Sequence, residues 1–157
     1  MESIEITARD GGDGQLLPIG KHPTYPELRE LERQILESCE PAECPVTDHW
    51  ADGIYGREMF IPAGTVLTGK IHRFATLNFL MQGEITVTTP DGMKRIKAPA
   101  IFTSEPGCKK AGYAHTDVIW VNVHPTKLRD VASIEAKFIQ PESPVLISKE
   151  APCLGAQ

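Results

Sequence analysis

Five polar side chains in the middle of the chain could together hold a small anion. They are Lys70, His72, Thr76, Asn78 and Lys110. Alternate residues of a β-strand point to the same face, so Lys70 is expected to share a face with His72, and Thr76 with Asn78. Two ammonium groups and a histidine around one cavity would suit a carboxylate or a phosphate. The alternative is that both lysines lie at the mouth of the fold, with buried aliphatic stems and solvated ammonium groups.

Three histidines point to a different chemistry. His72, His115 and His124 would supply the three nitrogen ligands that a catalytic zinc centre uses. His115 and His124 differ by an odd number, so on one continuous strand they would face opposite ways unless a turn at Thr116 and Asp117 changes the phase. We therefore expect no metal cofactor. If a divalent metal (Fe, Mn, Ni or Zn) binds, these three histidines are its expected ligands.

Composition excludes several classes of protein. A chain of 157 residues with 41% hydrophobic and 24% charged residues has the size and composition of one globular domain. The formal charge of −5 argues against binding to nucleic acid or to an acidic membrane, because both need a basic surface. No apolar run approaches the roughly 20 residues that span a bilayer. Four irregularly spaced cysteines and the absence of a signal peptide predict reduced thiols and a cytoplasmic location.

Turn residues divide the chain into a helix, a β-rich middle and a second helix. Thr24 and Glu27 form a capping-box pattern at the start of an amphipathic helix over about residues 25–40. Between residues 57 and 124, seven or eight short β-type runs alternate with Gly- and Pro-containing turns, which predicts a sandwich or a small barrel. Apolar spacing predicts a second helix over residues 127–138, followed by a tail.

The β-rich middle resembles the two motifs of the cupin superfamily. Residues 61–87 (IPAGTVLTGKIHRFATLNFLMQGEITV) resemble the first motif, and residues 98–124 (APAIFTSEPGCKKAGYAHTDVIWVNVH) resemble the second. Gly64 and Gly83 frame the first motif without gaps. The resemblance implies a small jelly-roll barrel.

The same resemblance places other residues where metal-binding cupins have their ligands. Lys70, His72 and Thr76 stand at the three positions of the first motif, and Lys110 stands at the position of the second. One ligand of four is therefore kept, and a protonated ammonium group cannot bind a metal ion.

A more specific resemblance links the chain to small cupin-like proteins encoded by tailed phages and prophages. The runs YGREMFIPAGT, GKIH and PGCKKAGYAHTDVIWVNVHPT carry it. It implies a virion or accessory component, located in the host cytoplasm or in the virion, with other phage or virion proteins as partners beside further copies of the chain.

Together these observations predict a mainly β protein. It has a single cupin-like jelly-roll barrel (residues 54–125), an N-terminal extension with one peripheral helix (residues 1–53), and a C-terminal helix and tail (residues 126–157). The missing ligands favour a non-catalytic, homo-oligomeric binding or assembly module. Two alternatives stay open: a metal-dependent oxygenase or isomerase centred on His72, and a metal-free cationic pocket for a small anion.

Overall fold

The computed structural model describes residues 7–9 and 24–141, which fold as strands with two helices. The strands are β1 (Thr7–Arg9), β2 (Val46–Ala51), β3 (Ile54–Ile61), β4 (Thr65–Thr68), β5 (Thr76–Gln82), β6 (Glu84–Thr89), β7 (Gly92–Lys97), β8 (Ala100–Ser104), β9 (Ala111–Ala114) and β10 (Val118–Pro125). The helices are α1 (Tyr25–Ser38) and α2 (Val131–Phe138).

Two antiparallel five-stranded sheets make up the fold. The first has the order β1-β4-β9-β6-β7, and the second has the order β2-β3-β10-β5-β8. Strands β3 to β10 pair symmetrically about the central β6–β7 hairpin: β3 with β10, β4 with β9, and β5 with β8. This nested pairing of eight strands is the connectivity of a jelly roll. The predicted mainly β jelly-roll fold with two helices is confirmed.

The core lies between the two sheets. Its fully buried members include Leu80 and Val118 from the second sheet and Ile85 and Ala114 from the first. The two sheets are not hydrogen-bonded to each other at their edges, so they form an open sandwich. Among the described strands, the outer ones, β1, β2, β7 and β8, each pair on one side only, so the jelly roll is open at its edges.

One sequence prediction needs correction after the β4 strand. Lys70 and His72 were expected to lie on a strand and to share a face, but β4 ends at Thr68. Lys70 and His72 therefore lie in the connection to β5, where His72 forms an isolated bridge with Ile139. Gly69 follows Thr68, and a residue without a side chain is a weak strand former.

Strand β2 was not predicted. Its six residues pair with residues 54–59 of β3, which places them in the second sheet. All six are exposed, so the segment carries no alternation of buried and solvated positions that a sequence pattern could show. The domain limits drawn from the sequence stay predictions, and the tail after residue 141 lies outside the described residues.

Both helices pack on the outside of the sandwich. Thr24 and Glu27 form the expected capping box at the start of α1. The buried face of α1 packs on Val66 and Ala111 of the first sheet. Helix α2 is capped by Asp130 and packs against Tyr55 at one end of the second sheet.

The turn between β5 and β6 requires glycine. Gly83 has a φ of +87°, and a β-carbon there would lie 2.1 Å from the backbone oxygen of Asp117. A left-handed conformation and a close backbone approach both favour glycine at this position. The turn leads the chain from β5 in the second sheet to β6 in the first sheet, and these two strands carry opposite walls of the interior.

Within residues 7–9 and 24–141, no helix is long and apolar enough to cross a membrane. Cys39 and Cys44 are not disulfide-bonded, whereas Cys108 takes part in a disulfide. The expectation that all four cysteines are reduced is therefore wrong for Cys108.

Candidate functional site

A cavity of about 100 Å³ lies between the sheets. One part of its wall is apolar and is built by Met59, Ile61, Leu67, Ile85, Val87, Ala111 and Trp120. The other part is polar and is built by Arg57, Lys70, His72, Thr76, Asn78, Lys110 and Asn122, with Gly69 and Gly112 completing the lining. The cavity therefore has an apolar region and a region of concentrated polar groups.

All five side chains that the sequence suggested as pocket residues line this one cavity. Thr76 and Asn78 occupy alternate, buried positions of β5 that face inward. Lys70 and His72 reach the cavity from the β4–β5 connection, and Lys110 reaches it from the residue that precedes β9. The structure thus brings together side chains from three separate segments of the chain.

Lys110 has a hydroxyl group, rather than a carboxylate, as its side-chain partner. Its ammonium group donates a hydrogen bond to Ser104 Oγ, and within residues 24–141 it has no carboxylate partner. Burial lowers the pKa of Lys110 to about 8, since an ammonium group loses hydration inside the sandwich. At neutral pH the group is still mostly protonated, so it offers a partly desolvated positive charge to the cavity.

The other two basic side chains have acidic neighbours outside the cavity wall. The Lys70 ammonium group forms an ion pair with Glu135 of α2, whose side chain is 44% exposed. Arg57 lies opposite Asp48 across the β2–β3 ladder. Neither acid lines the cavity, and no other Asp or Glu of the described residues does. The wall therefore carries three basic side chains and no acidic one.

A chain of amide and hydroxyl groups fixes the floor of the polar region. Asn122 Nδ2 donates to Asn78 Oδ1 at 2.7 Å, and Asn78 Nδ2 donates to Ser104 Oγ at 2.7 Å. Asn78 Nδ2 also lies 2.9 Å from the backbone oxygen of Thr76. Because Ser104 accepts from Lys110 as well, the network positions the ammonium group of Lys110.

His72 belongs to an aromatic stack between the second sheet and α2. Its ring lies 5.4 Å from the ring of His124 with an angle of 13° between the planes. The His124 ring stacks in turn on Tyr55 and contacts the Phe138 ring at an angle of 41°. Thr76 Oγ1 lies within hydrogen-bond distance of His72 Nδ1, at 3.0 Å, and of the backbone oxygen of Phe74, at 3.2 Å. The contact with Thr76 orients the His72 ring against the start of β5.

Both stacked histidines are neutral at physiological pH. Burial is the main reason that the pKa of His72 is lowered to about 3, and nearby His124 and basic side chains including Lys110 lower it further. Burial, followed by the charge of Arg57, lowers the pKa of His124 to about 4. The two rings therefore pack as uncharged aromatic groups rather than as cations.

His115 is remote from this stack. It follows β9 in the first sheet and hydrogen-bonds to Thr86 Oγ1 at 2.7 Å, whereas His124 belongs to β10 in the second sheet. The expected triad of His72, His115 and His124 does not assemble. Two parallel stacked rings also direct their nitrogen lone pairs within separate planes, so His72 and His124 do not converge on one point.

The polar region of the cavity does not fit a divalent metal ion. Within residues 7–9 and 24–141, no group of three or more His, Cys, Asp or Glu side chains is arranged to hold one. Lys70 and Lys110, which stand at two of the ligand positions implied by the cupin resemblance, are cations in a site that would have to neutralise a cation. The donor set of this cavity is suited to an anion instead.

Sequence reasoning missed three cavity residues. Arg57, Trp120 and Asn122 line the wall beside the predicted group. Arg57 precedes the apolar Met59 by two positions, so the period of a strand placed both on one face. The same period links Asn122 to Trp120, and this alternation was the signal that could have identified them.

The neutral histidines predict a loss of stability in acid. When the pKa of a group is lower in the folded state than in the unfolded state, the unfolded chain binds more protons at pH values between the two. The free energy of unfolding that a neutral histidine contributes is therefore fully present above about pH 6.5 and falls as the pH decreases toward the folded-state pKa. For His124 this amounts to about 2 to 3 kcal/mol between pH 6.5 and 4.5. The variant His124→Phe keeps an aromatic ring in the stack but has no group that titrates there. Between pH 6.5 and 4.5 we therefore expect its free energy of unfolding to fall by about 2 to 3 kcal/mol less than that of the wild type. Urea unfolding at a series of pH values measures it, and parallel curves for both proteins would contradict the assignment.

Comparison with known proteins finds similarity among solved structures. No protein-family model matches the sequence, and no curated protein is similar enough to match. Solved structures that resemble this one include a cupin domain from Bordetella pertussis Tohama I, with 15% identity, a TM-score of 0.43, and coverage of 55% of this chain and 97% of that one. A cupin-2 domain of an XRE family transcriptional regulator from Enterobacter cloacae has 8% identity, a TM-score of 0.45, and coverage of 52% and 95%.

An enzyme is also among the similar structures. The acetylacetone dioxygenase from Acinetobacter johnsonii has 16% identity, a TM-score of 0.42, and coverage of 52% of this chain and 58% of that one. The chain thus spans little more than half of the dioxygenase. At these identities and TM-scores the similar structures carry no argument about function, which has to be argued from the cavity itself.

Proposed function

We propose that this chain is a binding module whose interior cavity takes a small organic carboxylate. The observation that carries the proposal is the composition of the cavity wall, in which Arg57, Lys70 and Lys110 meet apolar side chains and no acid. A basic group that is partly desolvated binds an anion more strongly than a solvated one does, because water competes less.

The shape of the wall indicates how such a ligand lies. Its carboxylate group lies against the Lys110 ammonium group and the amide network, and its hydrocarbon part lies against Met59, Leu67 and Trp120. A cavity of about 100 Å³ holds a ligand of roughly six non-hydrogen atoms. This favours short monocarboxylates over inorganic phosphate, which has no apolar part to fill the rest of the cavity.

Binding without turnover fits the residues that are present. No acidic side chain of the described residues lines the cavity to act as an acid or base, and the polar groups do not form a metal-ligand set. The role as a virion or accessory component, which the sequence resemblance implies, stays a prediction, as does the cytoplasmic or virion location.

Ligand pairs that differ only in charge test the proposal. Thermal unfolding is followed at pH 7 with propionate, butyrate and isobutyrate, and with the corresponding neutral amides. We expect at least one carboxylate to raise the melting temperature in a concentration-dependent way and its amide to have no effect, since binding to the folded state stabilises it.

The same measurement distinguishes two sources of carboxylate binding. With a chelator present, binding to an ammonium group is unchanged, whereas binding through an adventitious metal ion is lost. Equal stabilisation by the amide, loss of the shift in chelator, or no shift with any of the carboxylates would each contradict the proposed function.

A further inference from the structure

The side chain of Asn122 carries a hydrogen-bond acceptor that none of the described residues uses. Asn122 lines the cavity, and its Nδ2 donates to Asn78 Oδ1 at 2.7 Å. Within residues 7–9 and 24–141, no group donates to Asn122 Oδ1. An amide oxygen can accept two hydrogen bonds, so this atom is open to a donor on a molecule inside the cavity.

Backbone groups determine which way the two amides are turned. Asn78 Nδ2 lies 2.9 Å from the backbone oxygen of Thr76 and 3.2 Å from that of Phe102. Because a carbonyl oxygen only accepts, the Asn78 atom that faces both oxygens is the donor, and Asn78 Oδ1 is left facing Asn122. Asn122 therefore turns its own donor toward Asn78, and its Oδ1 is the atom that keeps no partner among the described residues.

The same polar floor holds this acceptor and the basic groups of the cavity. Asn122 pairs with Arg57 on one side and with Asn78 on the other, and all three residues line the cavity. Asn78 Nδ2 and the Lys110 ammonium group both donate to Ser104 Oγ. A continuous chain of hydrogen bonds thus links the Asn122 amide to Lys110.

An uncharged acceptor in a basic cavity favours one kind of donor on the ligand. The carboxylate group of the ligand only accepts, so it can pair with Lys110 but not with Asn122 Oδ1. An ammonium group on the ligand would meet three basic side chains and no acidic one, which is unfavourable. A hydroxyl group donates a hydrogen bond without adding a positive charge.

We propose that the ligand of the cavity is a short hydroxy acid, whose hydroxyl group donates to Asn122 Oδ1 while its carboxylate lies against Lys110. This inference rests on the proposed function and adds the group that determines specificity. A three-carbon hydroxy acid has the roughly six non-hydrogen atoms that the cavity holds. Its carbon atoms lie against the apolar part of the wall.

Matched ligands test the specificity for a hydroxyl group. The probes are both enantiomers of lactate, and 3-hydroxypropionate. Isobutyrate and butyrate carry a methyl group in place of the hydroxyl group, and 2- and 3-fluoropropionate carry fluorine, which does not donate. Isothermal titration calorimetry at pH 7 compares them on the full-length chain. We expect at least one hydroxy acid to bind about 5- to 10-fold more tightly than its methyl and fluorine counterparts, because it gains a hydrogen bond.

Asn122→Leu removes the acceptor while keeping a side chain of similar size. We expect this variant to reverse the preference, so that the methyl counterpart binds about 4-fold more tightly, because a buried methyl group is favoured over an unpaired hydroxyl group. Lys110→Met is the matched control. It removes the cation that holds the carboxylate, so it should weaken both members of a pair and keep their ratio.

The outcomes distinguish this inference from the proposed function. Methyl and fluorine counterparts that bind as tightly as the hydroxy acids would overturn the hydroxyl specificity and leave carboxylate binding in place. A preference that Asn122→Leu retains would overturn the role of Asn122. If Asn122→Leu does not fold, the comparison of each hydroxy acid with its fluorine counterpart on the wild-type chain decides. A chain that binds none of these carboxylates would overturn both proposals.

Discussion

Replacement of Lys109 by methionine is expected to lower the free energy of unfolding by about 1.5 to 3 kcal/mol, because it removes one of the two cations that pair with the buried Glu32 carboxylate, the other being the partly exposed Arg29. Lys109 and Glu32 are each only 3% exposed, and their charged atoms are 2.8 Å apart. The same carboxylate accepts a hydrogen bond from Thr68 Oγ1 at 2.6 Å. This cluster is the polar attachment of α1 to the first sheet, so its loss should be detected by urea unfolding at pH 7.

Two variants separate the ion pair from ordinary packing. In the double variant Glu32→Leu with Lys109→Met, no buried charge is left unpaired, so much of the lost stability should return. Lys97→Met removes an exposed lysine and should change the free energy of unfolding by less than about 0.5 kcal/mol. A loss of less than about 1 kcal/mol for Lys109→Met alone would show that the pair does not hold the helix.

Replacement of the neighbouring Lys110 is expected to have a different effect. Lys110→Met should weaken carboxylate binding by about 10- to 100-fold, since a hydrogen bond to a charged group contributes about 1.5 to 3 kcal/mol. The stability of the fold should not fall, because the substitution removes a partly desolvated charge that has no carboxylate partner within residues 24–141. Isothermal titration calorimetry with the tightest-binding monocarboxylate measures the affinity.

The pH dependence of binding gives an independent measure of the same group. Since burial lowers the pKa of Lys110 to about 8, carboxylate affinity should be constant near pH 7 and should decrease as pH rises above about 8. Lys110→Met should lose this decrease, whereas Lys97→Met should keep it. An unchanged affinity in Lys110→Met, or the same pH profile in both variants, would show that another group holds the carboxylate.

The sequence was informative wherever local chemistry decides the structure. The capping box at Thr24 and the left-handed turn at Gly83 are set by neighbouring residues, so helix and strand limits could be predicted close to them. Strand β2 could not be predicted, because its exposed residues join the sheet through backbone pairing with β3. Backbone hydrogen bonds do not require particular side chains, so the sequence carries no pattern for this strand.

Some cavity residues could likewise be predicted from local sequence, and others could not. Inward positions on β5, such as Asn78, follow from strand alternation, whereas Lys70 and His72 reach the cavity from a connection whose path depends on α2. Glu32 stands four residues after Leu28, on the apolar face of α1, which was a signal of a buried acid. Its partner Lys109 is far away in the sequence, and only the assembled fold brings the two together.

The most direct test of the carboxylate site is a crystal structure of the chain with the tightest-binding monocarboxylate. The account predicts density inside the sandwich, with a carboxylate oxygen within hydrogen-bond distance of Lys110 Nζ and the hydrocarbon part against Met59 and Leu67. A carboxylate bound outside the cavity, or one inside it that turns its hydrocarbon part toward Lys110, would contradict the account.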